Sequence, residues 1–154
     1  MVKLVFCLRR LPHLSRAEFQ RYWRESHAPL VRRHAATLRI RRYVQLHTLE
    51  APVQDALRAS RGGPEAYDGV AELWWDDAED LMGRGNDPAW RAAALELLED
   101  ERRFIDLERS PLFVGDEHVV IEDEGTRPEP RPMRRASPTL HGARRRRPSQ
   151  PSTP

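Results

Sequence analysis

The chain alternates between two hydrophobic periods in a fixed order, and that order limits the folds open to it. Residues 3–9 (KLVFCLR) form a short apolar run bounded by charge and by Pro12, the pattern of a strand. Ser15-Arg16-Ala17-Glu18 follows as a capping box, in which Ser15 accepts from the backbone three residues on and Glu18 reaches back. The helix it starts sets Phe19, Tyr22, Trp23 and Ser26/His27 on one face. Pro29 then interrupts, with Ala28 biased away from helical geometry, so a kink or a second short helix from Leu30 to about Ala36 is expected. Residues 39–49 alternate, Ile40, Val44 and Leu46 against Tyr43, Gln45 and His47, which reads as a half-buried second strand.

Residues 52–63 read as a polar connection with at most one helical turn. Residues 67–75 (YDGVAELWW) are a third strand, with Asp68, Val70, Glu72 and Trp74 on one face. Asp76-Asp77 caps a short helix through Met82. Asp87-Pro88 opens a longer one, to about Leu107, with Trp90, Ala94, Leu97, Leu98, Phe104 and Ile105 as its apolar stripe. Residues 111–121 close with a fourth strand. The order β-α-β-β-α-β is the ferredoxin-like α+β arrangement, a four-stranded antiparallel sheet with both helices on one face. The opposite face then carries Val70 and Trp74, and a second copy stacked sheet to sheet is the simplest cover.

The formal charge of +2 is a cancellation. Residues 1–125 carry 18 basic and 23 acidic side chains, and residues 126–154 carry eight Arg and one Glu. The latter stretch also holds seven of the thirteen prolines and lacks apolar periodicity, so residues 1–122 are expected to fold and 123–154 to form a disordered Arg/Pro-rich tail. Any nucleic-acid binding is confined to that tail and non-specific, because Arg144–Arg147 has neither interleaved aromatics nor a folded reader. No stretch approaches the roughly 20 apolar residues of a membrane span. Cys7, alone, allows no disulfide framework and no cysteine-based zinc site, so a cytoplasmic protein is expected. Gly83-Arg84-Gly85 runs into Asn-Asp-Pro, a turn into a helix and not a phosphate loop.

Three segments carry a family resemblance: residues 4–31 (LVFCLRRLPHLSRAEFQRYWRESHAPLV), 67–77 (YDGVAELWWDD) and 86–90 (NDPAW). The chain resembles the EthD family of small dimeric α+β-barrel proteins over nearly all of residues 2–122, most distinctively at YWRESHAPLV, residues 22–31. The resemblance implies the dimer and a small cavity between helices and sheet. In the wider superfamily, which includes cofactor-free monooxygenases, isomerases and polyketide cyclases, one or two His or Tyr residues there move protons. The family takes its name from an ether-degradation gene cluster and is loosely grouped with oxidoreductases.

His27 is the leading catalytic candidate: one turn after Trp23 and just before Pro29, its imidazole suits proton transfer near neutral pH, or else pins the kink through a backbone hydrogen bond. Tyr43, Gln45 and His47 form a polar row that either lines the cavity, with His47 assisting His27, or faces solvent on an edge strand. Trp23 is a candidate wall of an aromatic pocket. Asp68 and Glu72 are expected to be structural, paired with Arg9 and Arg41 or Arg42. His27 and His34 lack a third ligand, so neither metal nor cofactor is expected. The expected function is cofactor-independent proton transfer on a small oxygenated, aromatic or polyketide-like metabolite; the alternative is a non-catalytic metabolite-binding accessory protein to an oxygenase.

Overall fold

In the computed structural model, which describes residues 1–122, the sheet is built from β1 (Val2–Leu8), β2 (Arg42–His47), β3 (Gly69–Trp75) and β4 (Leu112–Gly115). All pairs are antiparallel, in the order β2-β3-β1-β4, the ferredoxin-like topology. The expected tail, 123–154, lies outside the described residues. Met1–His118 is one unit; from Val119 a second begins, in whose described residues, to Glu122, there is neither helix nor strand.

Ser15 caps α1 (Arg16–Tyr22) through the reciprocal box with Glu18. The chain does not break at Pro29. A π-helical turn, Trp23–His27, leads straight into α2 (Ala28–His34), and Ala28 has ordinary helical dihedrals. The cause is local: proline lacks an N–H and its ring clashes with the carbonyl four residues back. The π turn closes with the Ala28 N–H donating to the Trp23 carbonyl, one residue further back than in an α-helix. This extra residue accommodates Pro29 and turns both Trp23 and His27 inward, where both are buried.

Residues 52–63 also differ from expectation. They form a ten-residue helix, α3 (Pro52–Arg61), with proline in its first turn and left-handed Gly62 at its end. Asp77 caps α4 (Ala78–Leu81), and Asp87 caps α5 (Pro88–Glu101). That last helix ends at Glu101 rather than near Leu107, and Phe104 and Ile105 enter the core from the turn that follows. β4 is four residues long, not eleven.

The face of β2 is the reverse of the simplest hydrophobic reading. Register pairs Tyr43 with Leu73, Gln45 with Ala71 and His47 with Gly69, on the side of Leu4, Phe6 and Leu8 that packs against the helices. Val44 and Leu46 lie on the other face, where Leu46 is 58% exposed. Polar residues are therefore turned inward because they bond to Trp23 and to one another. The core gathers Leu8, Phe19, Trp23, Ala71, Phe104 and Ile105, with Phe19 5.7 Å from the Trp23 ring and 5.5 Å from that of Phe104. Gly69 is required beneath it: a Cβ there falls 2.5 Å from Trp23 Cζ3.

The expected carboxylate partners are also replaced. Asp68 precedes β3 and is held by the Arg10 amide at 2.9 Å, by the Arg10 guanidinium and by Arg16 Nε at 3.0 Å. Burial pushes this carboxyl up, but those donors win and keep it below the usual range. Glu72 pairs with Lys3 at 3.2 Å. On the outer face Trp74 is only 4% exposed: Lys3 and Arg42 each stand 4.6 Å from its ring, and its indole N–H donates to Glu117 at 2.7 Å.

Candidate active site

The π turn aims His27 at the last turn of α5, where Asp100 Oδ2 accepts from Nδ1–H at 2.8 Å. Tyr22 donates to the other oxygen of Asp100 at 2.7 Å, and Phe104 packs 5.2 Å from the imidazole ring. Burial pushes the imidazole below the usual histidine range despite the pull of Asp100, so His27 is neutral at pH 7. Its Nδ1 is committed as a donor, which leaves Nε2 as the basic nitrogen.

The polar row on β2 forms a second network. Trp23 Nε1–H donates to Tyr43 Oη at 2.8 Å; the Gln45 amide donates to the same oxygen at 2.9 Å and to the Trp23 carbonyl at 3.1 Å. Gln45 Oε1 accepts from His47 Nε2–H at 2.9 Å, and the His47 ring stacks 4.6 Å from Trp23. His47 Nδ1 is buried without a partner among the described residues, and burial, with the Arg24 charge, pushes this imidazole down. Burial pushes the Tyr43 phenol up to about 12. Tyr43 and Gln45 line a groove of about 300 Å³ against α2. His27 and His47 thus belong to separate networks, with no hydrogen bond joining them.

A larger apolar cavity, about 420 Å³, lies between α5 and the sheet. Leu4 and Phe6 of β1, Leu73 and Trp75 of β3, and Trp90, Ala94, Leu97 and Leu98 of α5 form its walls. Its polar side chains are Ser110 and Glu101. The Ser110 hydroxyl is already used, accepting from the Arg9 amide and donating to the Asp106 carbonyl. The Glu101 carboxyl has no hydrogen-bond partner among the described residues; burial, reinforced by neighbouring Asp100, pushes it up to about 7. Trp90 contributes a buried indole N–H that also lacks a partner, and Gly83 must be glycine because a Cβ there falls 2.7 Å from the Trp90 ring.

Sequence reasoning missed Glu101 and Asp100. The signal was the stripe of α5: Glu101 lies one turn after Leu97, so a carboxylate occupies an apolar position in a run that otherwise keeps its period. Asp100 carries no such mark, because nothing local shows that Tyr22 and His27 converge on it. No group of three His, Cys, Asp or Glu side chains among the described residues is arranged to hold a metal ion, and no helix there is long and apolar enough to cross a membrane.

These features define a ferredoxin-like α+β domain with a ligand-sized apolar cavity between its last long helix and its sheet. The EthD domain model matches residues 11–108, and the chain belongs to that family. Two solved structures share the fold. An ethyl tert-butyl ether D (EthD) family protein from Bacillus halodurans C-125 is 22% identical with a TM-score of 0.51, covering 77% of this chain and 99% of that one. An EthD-like protein from Ralstonia eutropha JMP134 is 20% identical with a TM-score of 0.50, covering 80% and 96%. Among curated proteins nothing matches.

Proposed function

We propose that this EthD-family chain binds a small, largely apolar, oxygenated metabolite in the cavity between α5 and the sheet and moves a proton on it without a cofactor. The observation that carries this reading is the cavity itself: about 420 Å³, walled by aliphatic and aromatic side chains, with one ionisable group in its lining among the described residues. A cavity of that character takes an aromatic or polyketide-like body and fixes it by a single polar contact. Tyr43, Gln45 and Trp23 form a hydrogen-bonded polar network beside it, in the neighbouring groove against α2. His27 Nε2 is a proton-transfer candidate, with Asp100 holding its tautomer; His47 supports Gln45. The working form is a homodimer joined through the outer sheet face, where Leu46 and Phe113 are 58% and 57% exposed beside Val44 and Val70.

The test is binding of the neutral fluorophore N-phenyl-1-naphthylamine to the full chain. One dye per chain is expected for the wild type, and Ala94→Trp, which fills the cavity, weakens binding at least tenfold. Equal binding by the two proteins refutes the site. A second reading, an accessory protein that only carries such a metabolite, is favoured by one observation: His27 is absent from the lining of the cavity. Binding without turnover, unchanged by His27→Gln, would establish it.

A further inference from the structure

We propose that Glu101 is the group that exchanges a proton with the ligand, and that the ligand is a neutral aromatic ketone with an acidic C–H beside its carbonyl. The proposal rests on the cavity being the ligand site.

Three features of the geometry point to Glu101. It is the only ionisable side chain of the lining among the described residues, and so the proton-exchanging group nearest a ligand held there. Neither carboxyl oxygen has a hydrogen-bond partner among the described residues, whereas the buried carboxylates Asp68 and Asp100 are paired, the first with two arginines and the second with Tyr22 and His27. Glu101 is half-buried at the cavity wall, and an unpaired carboxyl on an otherwise apolar wall is a polar contact open to a ligand. It also stands on the last turn of a fourteen-residue helix, pinned at the adjacent residue by His27 and Tyr22. That is the rigid mounting a proton-transfer group needs.

The charged and titratable groups around it set its behaviour. Asp100 on the same helix raises its carboxyl, neutral His27 adds no charge to offset Asp100, Arg103 offsets it only from 4.0 Å on the exposed side, and the Glu101 charge in turn raises the Tyr43 phenol of β2. Apolar walls and an adjacent anion both favour the protonated acid, so the carboxyl changes state near neutral pH. A group poised there both accepts and returns a proton. The aromatic walls, Phe6, Trp75 and Trp90, suit a flat ring system.

The step balances without a co-reactant. The Glu101 carboxylate forms an O–H bond with the proton on the carbon beside the ligand carbonyl. The electron pair of the broken C–H bond becomes the C=C of an enolate, and the carbonyl π pair moves to oxygen. The Glu101 acid then returns a proton while the oxygen pair re-forms the carbonyl. Where the enolate is conjugated with a further C=C, its terminal carbon takes the proton with its π pair and the product is an isomer; in a simple aryl ketone the same carbon takes it and the outcome is hydrogen exchange.

2-Acetonaphthone tests this directly, because exchange of its methyl hydrogens in D2O is read by proton NMR. Wild-type full chain is expected to bind the ketone and accelerate exchange, more so as the pH rises from 5.5 to 8. Glu101→Gln is expected to bind it and lose on the order of a hundredfold in exchange rate. Glu101→Asp, which withdraws the carboxyl by one methylene, is expected to lose most of the acceleration and keeps the test open if the amide variant fails to fold. Binding without exchange above buffer, or equal exchange by the variants, overturns the role of Glu101 and leaves the cavity reading standing. No binding of the ketone overturns both. Tighter binding of 2-naphthylmethylamine than of the ketone at pH 8 overturns the neutral-ligand class, since an unpaired carboxylate would then be serving a cation.

Discussion

Replacing Glu101 by Gln isolates the electrostatic state of the cavity. The carboxyl titrates at 4.5 when free and at about 7 in the folded chain. Between those values the folded protein holds a proton that the unfolded chain has released, so stability falls as pH rises through this window and is level above it. At about 1.4 kcal/mol per pH decade the wild type loses about 3 kcal/mol across the window. Partial hydration of this half-buried carboxyl brings the loss to about 2 kcal/mol. Gln keeps the shape and has no proton to lose. Urea unfolding of both proteins, followed by tryptophan fluorescence at one protein concentration, is the assay. The stability of Glu101→Gln relative to the wild type should rise by about 2 kcal/mol between pH 5 and pH 8. Parallel curves, differing by less than about 0.5 kcal/mol between the two pH values, would refute the assignment of an unpaired carboxyl to an apolar wall.

Three further variants test other parts of the fold. His27→Gln should lower stability by about 2 kcal/mol at pH 7, through loss of a charge-assisted bond to Asp100. Because burial holds the imidazole below its ordinary value, the wild type should also weaken as pH falls below about 6.5, and the variant should lack that component in parallel acid titrations. Gly69→Ala should destabilise by about 1–3 kcal/mol in thermal unfolding, since the new methyl meets Trp23 at 2.5 Å and the Leu46 carbonyl at 2.8 Å. Phe113→Glu, on the outer face, should convert a dimer to a monomer in sedimentation velocity without changing the far-ultraviolet circular dichroism.

The order of strands and helices was legible because each relevant segment keeps one hydrophobic period, and the capping pairs at Ser15, Asp77 and Asp87 mark the helix starts. Pro29 misled because its usual effect on the preceding residue is removed by a π turn, a feature with no compositional signal. The sense of β2 was open because alternation alone does not say which face is inside. The sense of this strand is set by Trp23, which bonds to Tyr43 and Gln45 across 20 and 22 residues, while His47 bonds to Gln45 within the row. The helix over residues 52–61 escaped notice because none of its residues is buried. Of the site, His27 stood out by its position before proline, whereas Asp100 is defined by contacts with Tyr22 and His27 from more than 70 residues away. Glu101 left a trace, a carboxylate on an apolar stripe, which becomes meaningful once the stripe is seen to wall a cavity.

A crystal structure of the full chain with 2-acetonaphthone tests the ligand site most directly. The naphthalene ring is expected between α5 and the sheet, against Trp75, Trp90 and Leu97, with its carbonyl oxygen within hydrogen-bonding distance of the Glu101 carboxyl. Ligand density in the groove between α2 and β2, or on the outer face of the sheet, with the α5 cavity left unfilled, would contradict it.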